Sequence, residues 1–166
     1  MAQTELTSVA RTGTVTIPTP ASRALPLFEP LGEKAWADGW DPEILYPRSA
    51  GVPEAPASPG MVFRTHAAGE PPTIWVLALH DAAALVVEYA TVTPGHRIGR
   101  IRVELEPAGE QRSRARVTYD FRALSARGAA YVEGFTEEQY AARMARWEKA
   151  IGHYLATGRI LPRHGD

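Results

Sequence analysis

Glu88 is the strongest candidate for proton transfer in this sequence, because it is a carboxylate inside an apolar segment, residues 85–93. If Pro94-Gly95 forms a two-residue hairpin loop, Glu88 pairs with Ile101 on the apolar face of a sheet. Desolvation there would raise the pKa of the carboxyl group, so that Glu88 could act as a catalytic acid or base near neutral pH. The alternative is a bulge that reverses the strand, which would place Tyr89 inside and Glu88 in water.

Large apolar and aromatic side chains form the second group of candidates, because they could line a pocket for an apolar ligand. An even-length turn near residues 82–83 extends the same register and places Trp75, Leu77 and Leu79 on the face of Glu88. Simple core packing is the alternative for each of them, since large apolar residues usually lie inside. Buried Tyr and Trp need partners for their polar tips, and Met adapts to irregular ligands. The expected ligand-binding residues are Trp75, Leu77, Ile101, Val103, Val117, Tyr119, Phe121, Tyr140, Met144 and Trp147.

Histidine and cysteine chemistry is poorly represented in the chain. His80 is expected to point away from the cavity, and for His80 and His153 a surface or hydrogen-bonding role is favoured over a base. The sequence contains no H-E-x-x-H, P-loop, G-x-G-x-x-G or G-x-S-x-G motif, which argues against common metalloproteases, NTPases, dinucleotide enzymes and hydrolases. The absence of cysteine excludes disulfides and thiolate ligands. We therefore expect no metal and no cofactor.

The clearest element is a C-terminal helix from Thr136 to Thr157. Thr136 and Gln139 have capping-box spacing, and Gly158 follows where helices commonly end in a left-handed residue. Its apolar stripe comprises Tyr140, Met144, Trp147, Ile151, Tyr154 and Leu155, and the residues elsewhere around the wheel include Arg143, Arg146 and Lys149. A stripe of this kind needs a broad apolar surface to pack on.

Seven strands are predicted to supply that surface. The first strand covers Val9–Ile17, and proline then breaks the chain into two short helices, Ala21–Phe28 and Gly32–Ala37. Residues 47–60 are predicted to form an exposed loop, and residues 125–134 a small, glycine-rich connection. The other strands are predicted at Ile44–Tyr46, Met61–Thr65, Thr73–His80, Leu85–Thr93, Arg97–Leu105 and Arg114–Leu124.

The last two strands alternate between apolar and polar residues, so one face of the sheet is expected to be dry and the other wet. The amphipathic helix would cover the dry face. The wet face carries charges of both signs, which favours a solvated surface over a binding site for an anionic partner. Its residues are Arg100, Arg102, Glu104, Arg114, Arg116, Asp120 and Arg122.

Composition limits the classes of function. The chain has 166 residues, 45% of them hydrophobic and 22% charged, with a formal net charge of -1, which is typical of one globular domain. A nucleic-acid partner or a stable membrane insertion is not expected, and the cytoplasm is the expected location. Lys34 and Lys149 are the only lysines, which we interpret as GC-rich, bacterial coding. We expect a flexible N-terminus over residues 1–8, one domain over 9–158 and a tail over 159–166; the oligomeric state is left open.

The order of strand, two short helices, six strands and long helix resembles the helix-grip fold of the START/Bet v1-like superfamily. This superfamily, also called SRPBCC, includes polyketide cyclases and lipid-transfer domains. The resemblance implies an α+β protein in which a curved antiparallel sheet grips the last helix, with a cavity between them for an apolar or aromatic ligand. The segments that carry it are Glu88-Tyr89, Val92-Thr93-Pro94-Gly95, Val117-Thr118-Tyr119, Ala123-Leu124-Ser125, Phe135-Thr136 and Trp147-Glu148.

Three functions are compatible with the predicted fold, because one fold hosts many functions. The first is non-catalytic binding of a small hydrophobic or aromatic molecule between the sheet and the helix. The second is a cyclase or dehydratase type of enzyme, with Glu88 as acid or base and a tyrosine hydroxyl assisting. The third is a protein-interaction module that works through the outer face of the sheet, with the cavity collapsed.

Overall fold

The strands form one antiparallel sheet, whose alternating side chains give it a dry inner face and a charged outer face. The computed structural model describes residues 7–48 and 56–163, and within them the sheet has seven strands in the order β1-β7-β6-β5-β4-β3-β2. The strands are β1 Ser8–Ile17, β2 Glu43–Tyr46, β3 Val62–Thr65, β4 Thr73–Asp81, β5 Val86–Thr93, β6 Arg97–Pro107 and β7 Ser113–Ala123. Part of the predicted 47–60 loop lies outside the described residues.

Short helices and turns close one side of the dry face. Helix α1, Ala21–Ala24, continues into a 3₁₀ turn, Leu25–Phe28, and a second 3₁₀ turn follows at Glu33–Ala35. The two predicted short helices are therefore mostly 3₁₀ structure. Helix α2, Ala126–Gly134, occupies the segment that was predicted to be a plain connection.

The long C-terminal helix α3, Glu137–Thr157, is confirmed, as is the curved sheet that holds it. Thr136 caps it by accepting a hydrogen bond from the backbone N–H of Gln139 at 3.2 Å. The helix packs closely on β1 because Gly13 has no side chain there. A Cβ atom at Gly13 would lie 2.8 Å from Cγ of Met144, so only glycine allows this approach. Tyr140 adds a hydrogen bond from its hydroxyl to the carbonyl of Val117.

The β5–β6 hairpin differs from the predicted one by a single residue. Thr93 pairs with Arg97, so the loop contains three residues, and Gly95 adopts a left-handed φ of +66°. Gly95 occupies the third position of a type II turn from Thr93 to His96, in which the backbone N–H of His96 donates to the carbonyl of Thr93 at 3.0 Å. The prediction of a two-residue loop is therefore wrong, and every pair along β5 shifts by one. Tyr89, rather than Glu88, pairs with Ile101 on the inner face and is 4% exposed.

A bulge in β4 between Leu77 and Leu79 reverses the faces on which the following residues of the strand lie. Leu77 lies inside as predicted, but Leu79 pairs with Glu88 and is exposed on the outer face. His80 pairs with the buried Val87 and therefore lies on the inner face, contrary to the prediction. There Nε2 of His80 lies 2.8 Å from Oε1 of Glu29, which follows the first 3₁₀ turn.

Candidate functional site

Aromatic rings from β3, β4 and β5 form the first wall of the interior between the sheet and the turns. The rings of Trp75 and Phe63 stack at 5.4 Å with an interplanar angle of 13°. Tyr89 meets both rings edge-on at 5.9 Å, and Trp40 meets Trp75 edge-on at 5.5 Å. These distances are typical of favourable aromatic pairs, so the rings of the wall stabilise one another.

The second wall is centred on Trp147 of α3. Its ring contacts Trp36 at 5.4 Å, Phe28 at 6.2 Å and Tyr119 at 6.3 Å. Tyr119 in turn contacts Phe135, at the start of α3. The four tryptophans of the sequence therefore all lie in these two walls.

The ten residues predicted to bind a ligand all lie in, or pack against, one hydrophobic core. Most are fully enclosed by protein, whereas Trp75 and Trp147 keep some accessible surface. Tyr140 and Met144 pack towards β1 and also border an open groove of about 540 Å³ along its outer edge. That groove is lined by small and charged residues, including Arg11, Glu137 and Glu148, so the aromatic interior is the stronger candidate site for an apolar ligand.

Glu33 is the interior carboxyl group that sequence reasoning missed. It stands on the second 3₁₀ turn, and burial raises its pKa well above the ordinary value for glutamate. No charge or hydrogen bond from a described residue opposes that effect. The residue nevertheless keeps some accessible surface.

The turn that carries Glu33 is held by two tryptophan hydrogen bonds. Nε1 of Trp36 donates to the carbonyl of Leu27, and Nε1 of Trp40 donates to the carbonyl of Pro30, each at 2.7 Å. Because Trp36 is almost completely buried, its indole fixes the turn against the core. The only sequence signal for this arrangement is the pair of tryptophans that follow Glu33.

Two tyrosine hydroxyl groups lie near Glu33. Burial raises the pKa of Tyr89 and of Tyr119 well above the ordinary value, and the charge of Glu33 adds to both effects. The Tyr89 hydroxyl donates to the carbonyl of Phe28 at 2.7 Å. Both phenols therefore stay protonated at neutral pH, and they can hydrogen bond to polar atoms in the interior.

Arg143 also belongs to this interior, although the helical wheel separated it from the apolar stripe. Its guanidinium carbon lies 5.3 Å from the ring centre of Tyr119 and 5.2 Å from that of Phe135. These are cation–π distances. Near the two walls, Glu33, the phenols of Tyr89 and Tyr119 and the guanidinium of Arg143 thus add polar groups to an aromatic interior.

The prediction that Glu88 lies on the apolar face is wrong. Its carboxylate lies on the outer face, 2.8 Å from Nε of Arg100 and 2.8 Å from a terminal nitrogen of Arg102. Partial burial alone would raise the pKa of Glu88, but the hydrogen bonds and charges of Arg100 and Arg102 outweigh it and lower the pKa. Glu88 is therefore an ionised member of a surface network, and the raised pKa expected of it is absent.

Comparison with known proteins identifies the family of this chain and solved structures that share its fold. The family described as "Polyketide cyclase / dehydrase and lipid transport" matches residues 8–152. The chain belongs to this family. Membership of this family confirms the resemblance to the START/Bet v1-like (SRPBCC) superfamily found in the sequence. No curated protein matches the chain.

Solved structures share the fold of this polyketide cyclase and lipid-transport family member at low sequence identity. Norcoclaurine synthase from Thalictrum flavum, in complex with dopamine and hydroxybenzaldehyde, has a TM-score of 0.63 and 12% identity over 91% of this chain and 88% of that one. The Zhui aromatase/cyclase from Streptomyces sp. R1128 has a TM-score of 0.65 and 18% identity over 93% and 100%. Ara h 8.0201 has a TM-score of 0.61 and 17% identity over 91% and 99%.

The outer face of this family member is a mixed-charge surface, as predicted. The network around Glu88 extends through further pairs, which leaves no large field of one sign. These pairs are Arg102–Glu104, Arg116–Glu104, Arg114–Glu106 and Arg122–Asp120. Within residues 7–48 and 56–163 no group of three metal-ligating side chains occurs. No helix of the described chain is long and apolar enough to cross a membrane.

Proposed function

We propose that this protein binds a small hydrophobic or aromatic molecule between the inner face of the sheet and α3. The observation that carries the proposal is that two aromatic walls line the interior, and that Tyr89 of the first and Tyr119 of the second both lie within reach of the charge of Glu33. Trp75, Trp147 and Glu33 each keep accessible surface although they lie inside the fold. Apolar walls with a few convergent polar groups are the usual form of a small-molecule site.

The walls would supply most of the affinity. A two-ring aromatic ligand that buries roughly 300 Å² of apolar surface would gain about 7 kcal/mol before ordering costs are subtracted. Those costs are small on the protein side, because stacked rings and tryptophan hydrogen bonds already hold the walls in place. A gain of about 7 kcal/mol corresponds to a Kd of about 10 μM, so binding of a two-ring compound in the range of about 0.1–1 mM is expected once the remaining costs are subtracted.

Isothermal titration calorimetry with 2-naphthamide, a neutral two-ring probe, tests this proposal. Native mass spectrometry and denaturing extraction of the purified protein should precede it, so that any bound passenger is identified and removed. Trp147→Ala should weaken binding at least fivefold, because it removes part of a wall. Val92→Asp is the matched control on the outer face, where Val92 is 43% exposed, and it should leave binding unchanged.

If Val92→Asp weakens binding and Trp147→Ala leaves it unchanged, the probe binds on the outer face and the proposal is wrong. Absence of both a passenger and any binding in the folded protein would favour the interaction module instead. A cytoplasmic location and a bacterial origin stay predictions from composition.

A second candidate function is acid–base catalysis of the cyclase or dehydratase type, with Glu33 taking the role first assigned to Glu88. It is favoured by the raised pKa of Glu33 beside the hydroxyl groups of Tyr89 and Tyr119. A carboxyl group with a raised pKa can exchange a proton near neutral pH. Glu33→Gln keeps the shape of the side chain, so it should abolish turnover of any substrate found while the substrate still binds. Turnover that survives this substitution would exclude Glu33 as the acid or base.

A further inference from the structure

The position of Arg143 places a positive charge on the wall of the interior. Arg143 precedes Trp147 by one helical turn and lies beside the buried Met144. It is itself only partly exposed. Its guanidinium group faces the rings of Tyr119 and Phe135 at 5.3 and 5.2 Å. The charge therefore lies against the aromatic rings of the interior.

No carboxylate neutralises this charge within residues 7–48 and 56–163, because none of the ion pairs there includes Arg143. The other arginines that lie against the inner face do have carboxylate partners. Arg97 pairs with Glu70 at 3.0 Å, and Arg11 pairs with Glu137 at 3.4 Å. A partly buried charge without an opposite charge is unfavourable, and aromatic rings compensate it only in part.

Glu33 does not supply the missing negative charge. An arginine close to Glu33 would lower the pKa of its carboxyl group. The only influence on that pKa is burial, which raises the pKa. Tyr119 lies within reach of both Glu33 and Arg143. Burial and the charge of Glu33 raise the pKa of the Tyr119 hydroxyl, with burial the largest influence, whereas the charge and a hydrogen bond of Arg143 lower that pKa. The polar neighbour of Arg143 is thus a neutral phenol, and the guanidinium keeps its capacity for an anion.

We propose that the site is selective for aromatic carboxylates, whose rings pack on Trp147 and Tyr119 while the carboxylate pairs with Arg143. This inference rests on the proposed ligand-binding function and narrows it to one chemical class. A planar guanidinium can donate two parallel hydrogen bonds to a carboxylate, and such charged hydrogen bonds are about twice as strong as neutral ones. A neutral ligand of the same shape would leave the charge of Arg143 unpaired.

Calorimetric titration with 2-naphthoate and 2-naphthamide tests this selectivity, because the two probes share their rings and differ in charge. The wild-type protein should bind 2-naphthoate at least tenfold more tightly than 2-naphthamide. In Arg143→Gln the preference should fall below twofold, and the change should come from weaker binding of 2-naphthoate. Arg146→Gln is the matched control, since Arg146 lies on the same helix but is exposed, and it should keep the tenfold preference.

Each outcome separates this inference from the proposed function. Equal binding of the two probes by the wild type, or a preference that survives Arg143→Gln, would overturn the selectivity while leaving ligand binding intact. If neither probe binds the folded wild type, both proposals fail for two-ring aromatics. Far-ultraviolet circular dichroism of each variant should match the wild type before titration.

Discussion

Replacement of Trp36 by phenylalanine should reduce stability more than the same replacement at Trp147, although the two rings touch at 5.4 Å. The difference follows from what each indole does. Trp36 fixes the turn beside Glu33, whereas Trp147 lines the proposed site. The pair of variants therefore distinguishes a structural tryptophan from one in the wall of a cavity.

The loss at Trp36 has two parts. Its side chain is 1% exposed, and its Nε1 donates to the carbonyl of Leu27 at 2.7 Å. Phenylalanine cannot donate, so the buried carbonyl loses its partner, which costs about 1–3 kcal/mol. The smaller ring also leaves part of the indole volume empty, at about 1 kcal/mol. Trp36→Phe should therefore lower the free energy of unfolding by about 2–4 kcal/mol.

The loss at Trp147 should be smaller. Within the described chain, the indole N–H groups that donate to a protein acceptor belong to Trp36, Trp40 and Trp75. Trp147→Phe thus breaks no such bond, and the ring that it shortens is already partly exposed. A loss below about 1.5 kcal/mol is expected, which is typical of hydrophobic replacements of similar shape.

Urea unfolding followed by circular dichroism at 222 nm measures both losses, and it avoids the fluorescence signal that each substitution alters. An unchanged dependence of unfolding free energy on urea would show that the two variants unfold from comparable native states. Equal losses, or a larger loss at Trp147, would refute the reasoning. That result would mean that Trp147 is an ordinary core residue and that the hydrogen bond of Trp36 contributes little.

Two further predictions concern pH. Burial raises the pKa of Glu33, so the stability that its neutral form contributes is complete below the ordinary pKa of 4.5 and is lost as pH rises through the folded-state pKa. Glu33→Gln should therefore raise the urea midpoint at pH 8 and change it little at pH 4. An equal change at both pH values would contradict this prediction. Burial, followed by the charge of Arg97, lowers the pKa of His96, so protonation favours the unfolded chain. Between pH 7 and pH 5 this loss of stability opposes the gain from protonation of Glu33, so removal of His96 should shift the balance towards stability at low pH. The urea midpoint of His96→Asn should therefore change more favourably than that of the wild type as pH falls from 7 to 5; identical changes in the two proteins would exclude a contribution from His96.

The order of the elements could be predicted because it depends on local patterns. Thr136 and Gly158 mark the ends of α3 in the sequence, and both positions are confirmed. Helix α2 was missed because its glycines disfavour a helix. It forms nonetheless, since the Ser125 hydroxyl accepts from the N–H of Gly128 at 3.2 Å. Gly128 also lets the helix approach the β5–β6 hairpin, where a Cβ would lie 1.7 Å from the carbonyl oxygen of His96. That requirement is tertiary, and no local pattern contains it.

The face of each residue in β4 and β5 could not be predicted with the same success. Pro94-Gly95 predicts a type II turn from Thr93 to His96, but it does not fix the residue at which the two strands begin to pair. The choice between them decides whether Glu88 or Tyr89 faces the interior. The bulge at Leu77–Leu79 in the neighbouring strand then moves Leu79 to the outer face of the sheet and His80 to the inner face. Errors of one residue thus changed the expected chemistry, while the inner position of Trp75 survived them.

The interior carboxyl group shows why the site was harder to predict than the fold. A carboxyl group with a raised pKa was expected at Glu88 on a strand, and one is found at Glu33 on a three-residue turn. A turn of this length has no periodicity that could reveal which side faces inward. The direction of Glu33 is set instead by the hydrogen bonds of Trp36 and Trp40 to the carbonyls behind it. The protonation of the site therefore depends on the packing of those two tryptophans, and a substitution that loosens them would hydrate Glu33 and return its pKa towards the ordinary value.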